Sequence, residues 1–224
     1  MNFLRRFFTR CRIRALEAKF GGPLSPDVVK RMIETGEQPD LSGRVVEITP
    51  FFASVQDYVG FAERMPLVQL PGLLNAYFTA SCEAIESEGG MVDKFIGDAI
   101  VATFGAPFAQ PDHALRACVA SLKMQTQVSR LRERLTRDPA TWPAISAQLR
   151  VRIGLNTGLA LVGNLGTATR SNYTMMGDNV NLAARIESGA KSWGVWCCAP
   201  RRPSAPVGRC SRTGSCFARS AASS

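Results

Sequence analysis

The chain has 224 residues, 46% of them hydrophobic and 20% charged, which is enough apolar content to bury a core and too much for a disordered chain. It has no run of about eighteen apolar residues, and arginines break every apolar stretch of its N-terminus, MNFLRRFFTRCRIR, so neither a membrane-spanning helix nor a secretory leader is expected and the cytoplasm is the expected location. The net charge of +9 sits at the ends, with +5 on residues 1–19 and +6 on residues 188–224 against −2 on residues 20–187, so a nucleic-acid-binding body is not expected.

Residues 1–19 form a basic amphipathic segment in which Phe3, Leu4, Phe7 and Phe8 alternate with arginines. Two readings fit it: peripheral contact with an anionic membrane through residues 1–14, or a connector helix that needs an upstream partner. Leu24, Val28, Val29, Met32 and Ile33 predict a short helix entered through Ser25-Pro26. A strand follows over 45–53, with Pro50 arguing for an edge position or a bulge because it cannot donate to a ladder. Leu70, Leu73, Leu74, Tyr77, Phe78 and Ile85 recur at helical spacing until Gly89-Gly90. Two apolar runs, 91–96 and 99–104, are joined by Gly97-Asp98, the signature of a type II′ hairpin. Pro111-Asp112 opens a second long helix with Leu115, Cys118, Val119, Leu122 and Leu131 as its expected buried stripe. Alternation over 150–155 predicts a strand with one wet face; strands at 159–162 and 173–176 and a helix from Asp178 through Glu187 complete the pattern. This order of hairpins and helices predicts an α+β sandwich of the ferredoxin-like kind.

The cysteines divide in the same way as the charge. Cys82 and Cys118 sit inside apolar helical segments, where buried thiols are expected. Cys197, Cys198, Cys210 and Cys216 crowd the C-terminus without a Cys-x-x-Cys pair and match no common zinc knuckle. Beyond Gly194 the chain lacks periodicity and acids, and it is expected to be irregular.

Three clusters bear chemistry. Asp98, at the hairpin tip, is placed to hold a divalent cation on a rigid support, although Asp after Gly is also an ordinary turn residue. Gly158, Gly163 and Gly166 match no phosphate loop and read as turns. Asn181 and Arg185, four apart, share one helix face, which taken alone is a solvated face.

Together, EITPFF, EGGMVDKFIGDAIVATFGAP, RVRIGLNTG and NYTMMGDNVNLAARIE, in this order, resemble the class III adenylate/guanylate cyclase catalytic domain. The resemblance covers residues 44–190, preceded by a basic segment and linker helix over 1–43 and followed by the irregular tail of 191–224, which leaves the domain incomplete at its C-terminus. It implies that Asp98 is one of two metal-binding aspartates. Ser54 stands where the family carries the other, beside the backbone of Val55, and Asp57 stands where the family carries a glycine. It further implies that Lys94 and Thr174 read the adenine edge of ATP, and that Asn181 orients the ribose while Arg185 meets the transition-state phosphate. Two Mg²⁺ or Mn²⁺ ions per site and a head-to-tail homodimer belong to the same pattern, with the second ion in question because serine supplies no charge. The implied activity is adenylate cyclase, making 3′,5′-cyclic AMP and pyrophosphate from ATP. The alternative is a degenerate cyclase-homology module that binds nucleotide or a partner without turnover.

Overall fold

The computed structural model describes residues 32, 43–167, 171–193, 197–200 and 215–217; the expected helix around Ser25-Pro26 (Met32 apart) and the basic segment of residues 1–14 lie outside the described residues. The architecture is a curled, mainly antiparallel sheet in the order β2 (Met91–Ile96), β3 (Ala99–Phe104), β1 (Arg44–Val55), β4 (Val151–Leu155), β7 (Cys197–Pro200), β8 (Ser215–Phe217), with β5 (Gly158–Gly166) and β6 (Ser171–Met176) continuing from β1. The strand β1, Arg44–Val55, organises it. Its inner edge pairs with β3 (Ala99–Phe104), from Thr49 against Phe104 to Ala53 against Ile100.

On the other edge of β1, two strands share one register. β4 (Val151–Leu155) pairs with the second half of β1, and β5 (Gly158–Gly166) pairs with the first half. Pro50 lies where the first ladder ends and the second begins. The expectation of an edge or bulge at Pro50 is thus corrected: β1 is central, and the missing donor falls opposite Asn156, where the ladder is interrupted anyway. Side chains knit this break. Thr49 Oγ1 lies 2.8 Å from Thr157 Oγ1 and 2.8 Å from His113 Nδ1.

Strand alternation assigns the two faces. Phe51, Ala53 and Val55, with Ile100, Ala102, Phe104, Val151, Ile153 and Leu155, face helices α2 (Leu70–Glu86) and α3 (His113–Thr136) in the larger core; the short α1 (Tyr58–Glu63) closes one end of it. Residues of opposite parity, including Ser54, Arg152 and Gly154, face away from that core. Helix α4 (Asp178–Trp193) packs there, and a Cβ at Gly154 would collide with the backbone of Ala183 and Glu187. The close approach of α4 to β4 therefore depends on glycine at this position, and it brings Glu187 down onto the sheet. A second core, containing Ile48, Val101, Ala160, Val162, Tyr173 and Met175, lies under β5 and β6 (Ser171–Met176).

The stripe expected on α3 is corrected in part. Leu131 is buried, but Leu115 and Leu122 are about half exposed, and the buried face runs through Ala117, Ala120, Met124, Val128, Leu131 and Leu135. Helix α3 lies against both α2 and the sheet, so small alanines sit at its first turns, where large leucines would hold the layers apart. Cys118 is half-buried against the same core; Cys82, also half-buried, has its thiol pushed up to about 11 by burial and by Glu86 and Glu83. Helix α4 also runs past Glu187 to Trp193. In the stretch expected to be irregular, β7 (Cys197–Pro200) pairs in parallel with β4, and β8 (Ser215–Phe217) pairs with β7. That corrects the expectation at these two stretches: with α4 as the crossover, β7 gives backbone partners to an edge of β4 that would otherwise be open.

Candidate active site

The hairpin of β2 (Met91–Ile96) and β3 turns at Gly97-Asp98, with φ of +62° at Gly97 and no positive φ at Asp98. That is the pattern of a II′ turn, in which only the first central residue needs the left-handed region. The β1–β3 register, extended past its last pair, puts Asp98 opposite Val55, and Asp98 Oδ2 accepts the Val55 N–H at 2.8 Å. Burial raises the Asp98 carboxyl above the usual carboxylate range and the charge of Glu187 raises it further, while the Val55 N–H and Arg152 oppose the shift. This carboxylate is short of positive charge, so its chemistry fits a cation.

Beside it, Ser54 is buried in a network that the sequence reading missed. Ser54 Oγ donates to Glu187 Oε1 at 2.5 Å, Arg152 Nε donates to the same oxygen at 3.0 Å, and Arg152 Nη2 donates to Ser54 Oγ at 3.1 Å. The Arg152 and Glu187 side chains are only 14% and 11% exposed, so this is a buried ion pair rather than a surface one. The Ser54 hydroxyl hydrogen is committed to Glu187. A serine so placed adds no charge toward a second cation, and among the described residues no group of three or more His, Cys, Asp or Glu is arranged to hold one. Asp98 is therefore a single carboxylate available to a divalent cation, and Ser54 adds no charged ligand beside it. Asp57, which has φ of +50°, is exposed and folds its carboxylate over Gly60; the carboxylate that acts on Asp98 is that of Glu187.

A second grouping joins β2 to β6. Lys94 Nζ donates to Thr174 Oγ1 at 3.1 Å across eighty positions of sequence, and Thr174 Oγ1 donates to Asp93 Oδ2 at 2.5 Å. Lys94 and Thr174, which the resemblance assigns to one base-reading pair, are therefore brought together, with Asp93 as an addition.

Asn181 and Arg185 are not brought to Asp98. Both are exposed on α4, whereas Ala183, Glu187 and Ala190 form its buried face. At about 100° per residue, Arg185 lies roughly 200° around the helix from Glu187, the residue that reaches the Ser54 network. One chain thus presents the Asp98 group and the Asn181/Arg185 pair on opposite sides of one helix.

Sequence signals existed for the missed residues but were ambiguous. Arg152 belongs to an alternating strand, whose polar face is read by default as solvated, yet α4 covers it. Glu187 stood at the expected end of a helix, where an acid is unremarkable.

Comparison with known proteins bears on the same region. Residues 42–197 match the family model described as the adenylate and guanylate cyclase catalytic domain. "Adenylate cyclase 1" of Rhizobium meliloti (strain 1021) is 29% identical over 169 residues, covering 75% of this chain and 24% of that protein. "Adenylate cyclase" of Anabaena cylindrica is 30% identical over 181 residues, covering 81% of this chain and 34% of that protein. The chain therefore spans a quarter to a third of the length of these curated relatives. A solved bacterial light-regulated adenylyl cyclase superposes with a TM-score of 0.68 at 28% identity, covering 88% of this chain and 54% of that one.

Proposed function

The chain belongs to the adenylate and guanylate cyclase catalytic-domain family, and on that premise we propose that it is the catalytic unit of an adenylate cyclase, converting ATP to 3′,5′-cyclic AMP and pyrophosphate. The observation that carries the choice of ATP is the Lys94–Thr174 contact. A lysine can only donate and a hydroxyl can accept, which suits the adenine edge with its N1 acceptor and N6 amino donor. A site that hydrogen-bonds one base edge rejects the other strongly, because the wrong edge leaves buried polar groups unpaired. Competition binding is expected to favour ATP over GTP by about tenfold or more. GTP binding as tightly as ATP would overturn the assignment.

In the proposed reaction, the ribose 3′-oxygen attacks the α-phosphorus in line. The 3′-O–H bond breaks and its proton passes to solvent, the new bond is 3′-O–Pα, the bond between Pα and the bridging oxygen breaks, and pyrophosphate leaves with that electron pair. Asn181 orients the ribose, and the planar guanidinium of Arg185 meets the charge that develops on the phosphoryl oxygens. Asp98, held in place by the Val55 N–H, is the residue that would hold a Mg²⁺ or Mn²⁺ ion. Such an ion, when bound, supplies charge neutralisation and acidifies the 3′-hydroxyl. Because Asp98 and the Asn181/Arg185 pair lie on opposite sides of α4, a complete site needs the Asp98 side of one chain and the Arg185 side of another, in a head-to-tail homodimer.

The competing reading, nucleotide binding without turnover, rests on Ser54. Ser54→Asp would put a second carboxylate beside Asp98 and against the carboxylate of Glu187, with Arg152 in hydrogen-bonding range of both. The variant is expected to raise turnover with Mn²⁺ by about tenfold or more and to melt at a higher temperature with Mn²⁺ than with chelator. If Mn²⁺ changes neither turnover nor melting of a folded Ser54→Asp protein, loss of the carboxylate is not what limits the site.

A further inference from the structure

Asp93 has no role in the reading above, yet its side chain is only 2% exposed and it is not a residue that is buried without cause. In the β2–β3 ladder Val92 pairs with Ala102 and Lys94 with Val101, so Asp93 is the extra residue of a β-bulge. A bulge lets two consecutive side chains oppose one partner position, which is how Asp93 and Lys94 both reach Thr174 on β6.

The donor count then fixes the direction of each bond. Lys94 has hydrogens and no acceptor, ionised Asp93 has acceptors and no hydrogen, and Thr174 has one hydrogen and two lone pairs. Thr174 Oγ1 receives from Lys94 at 3.1 Å and gives its single hydrogen to Asp93 Oδ2 at 2.5 Å. Asp93 Oδ1 lies 3.6 Å from Lys94 Nζ; burial raises the Asp93 carboxyl above its ordinary value, while the Thr174 hydroxyl and the ammonium favour the ionised form.

We propose that Asp93 is a specificity-determining positioning residue: by taking the Thr174 hydrogen, it makes Thr174 an acceptor toward the base. This inference rests on the base-reading role of Lys94 and Thr174 proposed above. With the hydrogen held, Thr174 can only accept from the group at position 6 of the base, which suits the adenine N6 amino group and opposes the guanine O6, while Lys94 donates to the adenine N1. With Asp93 removed, the hydroxyl turns freely and can donate to the O6 of guanine, so discrimination is lost while the pocket persists.

The test is competition binding of 3′-deoxy-ATP and 3′-deoxy-GTP, which cannot cyclise, to the full chain and its variants. Asp93→Leu removes the acceptor with a branched side chain of larger volume; it is expected to lower the ATP-to-GTP affinity ratio about tenfold, while Asp93→Glu retains most of the preference. Thr174→Val is expected to lower the ratio too, and adding Asp93→Leu to it is expected to lower it no further, since the two act as one unit. If Asp93→Leu does not fold, Asp93→Ala, which removes the acceptor without adding volume, gives the same readout. Equal weakening of both nucleotides, or an unchanged ratio, overturns the role of Asp93. If Thr174→Val lowers the ratio and the Asp93 variants do not, only this inference falls. If Thr174→Val itself leaves the ratio unchanged, the base-reading assignment falls and this inference with it.

Discussion

Glu187→Ala is expected to cost about 3–5 kcal/mol of folding stability, because it strands the Arg152 guanidinium and the Ser54 hydroxyl in a site with little access to water. The physical asymmetry is the reason for so large a value. A buried ion pair adds little net stability over an apolar pair, but removing one partner leaves the other charge desolvated and unpaired. A domain of this size has only about 5–15 kcal/mol to lose. At roughly 2–4 °C per kcal/mol, the melting temperature should fall by about 6–20 °C. Glu187→Gln retains an oxygen for the Ser54 hydroxyl and should cost less. The double variant Glu187→Leu/Arg152→Met removes both charges and should be closer to the parent than Glu187→Ala is. Thermal or urea unfolding of these three proteins checks the ranking, and a Glu187→Ala protein that melts with the parent would mean the pair is solvated in solution.

The fold was legible wherever period and punctuation agreed. The hairpin turning at Gly97-Asp98 follows from two apolar runs separated by two residues with glycine first, and α2 follows from its apolar spacing up to the glycines. Pro50 misled because the rule against proline in ladders concerns the donor, and a central strand that changes neighbours has one position where no donor is required. Leu115 and Leu122 misled because side-chain size was taken as the mark of burial, whereas a helix squeezed between another helix and a sheet buries its small residues. In the candidate site, Lys94, Thr174, Asp98, Asn181 and Arg185 could be named only through the resemblance of their motifs to the cyclase family. Arg152, Glu187 and Asp93 could not, since their significance arises from contacts across 35 to 133 positions of sequence: the approach of α4 at Gly154 and a bulge in β2.

Two separate single variants are expected to show the largest losses of activity. Asp98→Asn removes the carboxylate that would hold the cation, and Arg185→Ala removes a donor directed at developing phosphoryl charge. Losses of about a hundred- to a thousandfold in turnover are expected for Arg185→Ala, and at least as much for Asp98→Asn. Neither should alter folding greatly, because Arg185 is exposed and the Val55 N–H can still be accepted by an asparagine oxygen. Unfolding curves beside the cyclic AMP assay check that separation, and a loss of activity matched by a loss of fold would remove the inference about roles.

The Asp98 side and the Asn181/Arg185 side of one chain are expected to serve different active sites. Mixing the Asp98→Asn and Arg185→Ala proteins under conditions where subunits exchange tests it directly. In a mixed head-to-tail dimer one site carries both lesions and the other carries neither, so random pairing should restore cyclic AMP synthesis to about a quarter of the parent level. No recovery from a mixture shown to contain mixed dimers would contradict the claim and place both residues in a site made by one chain.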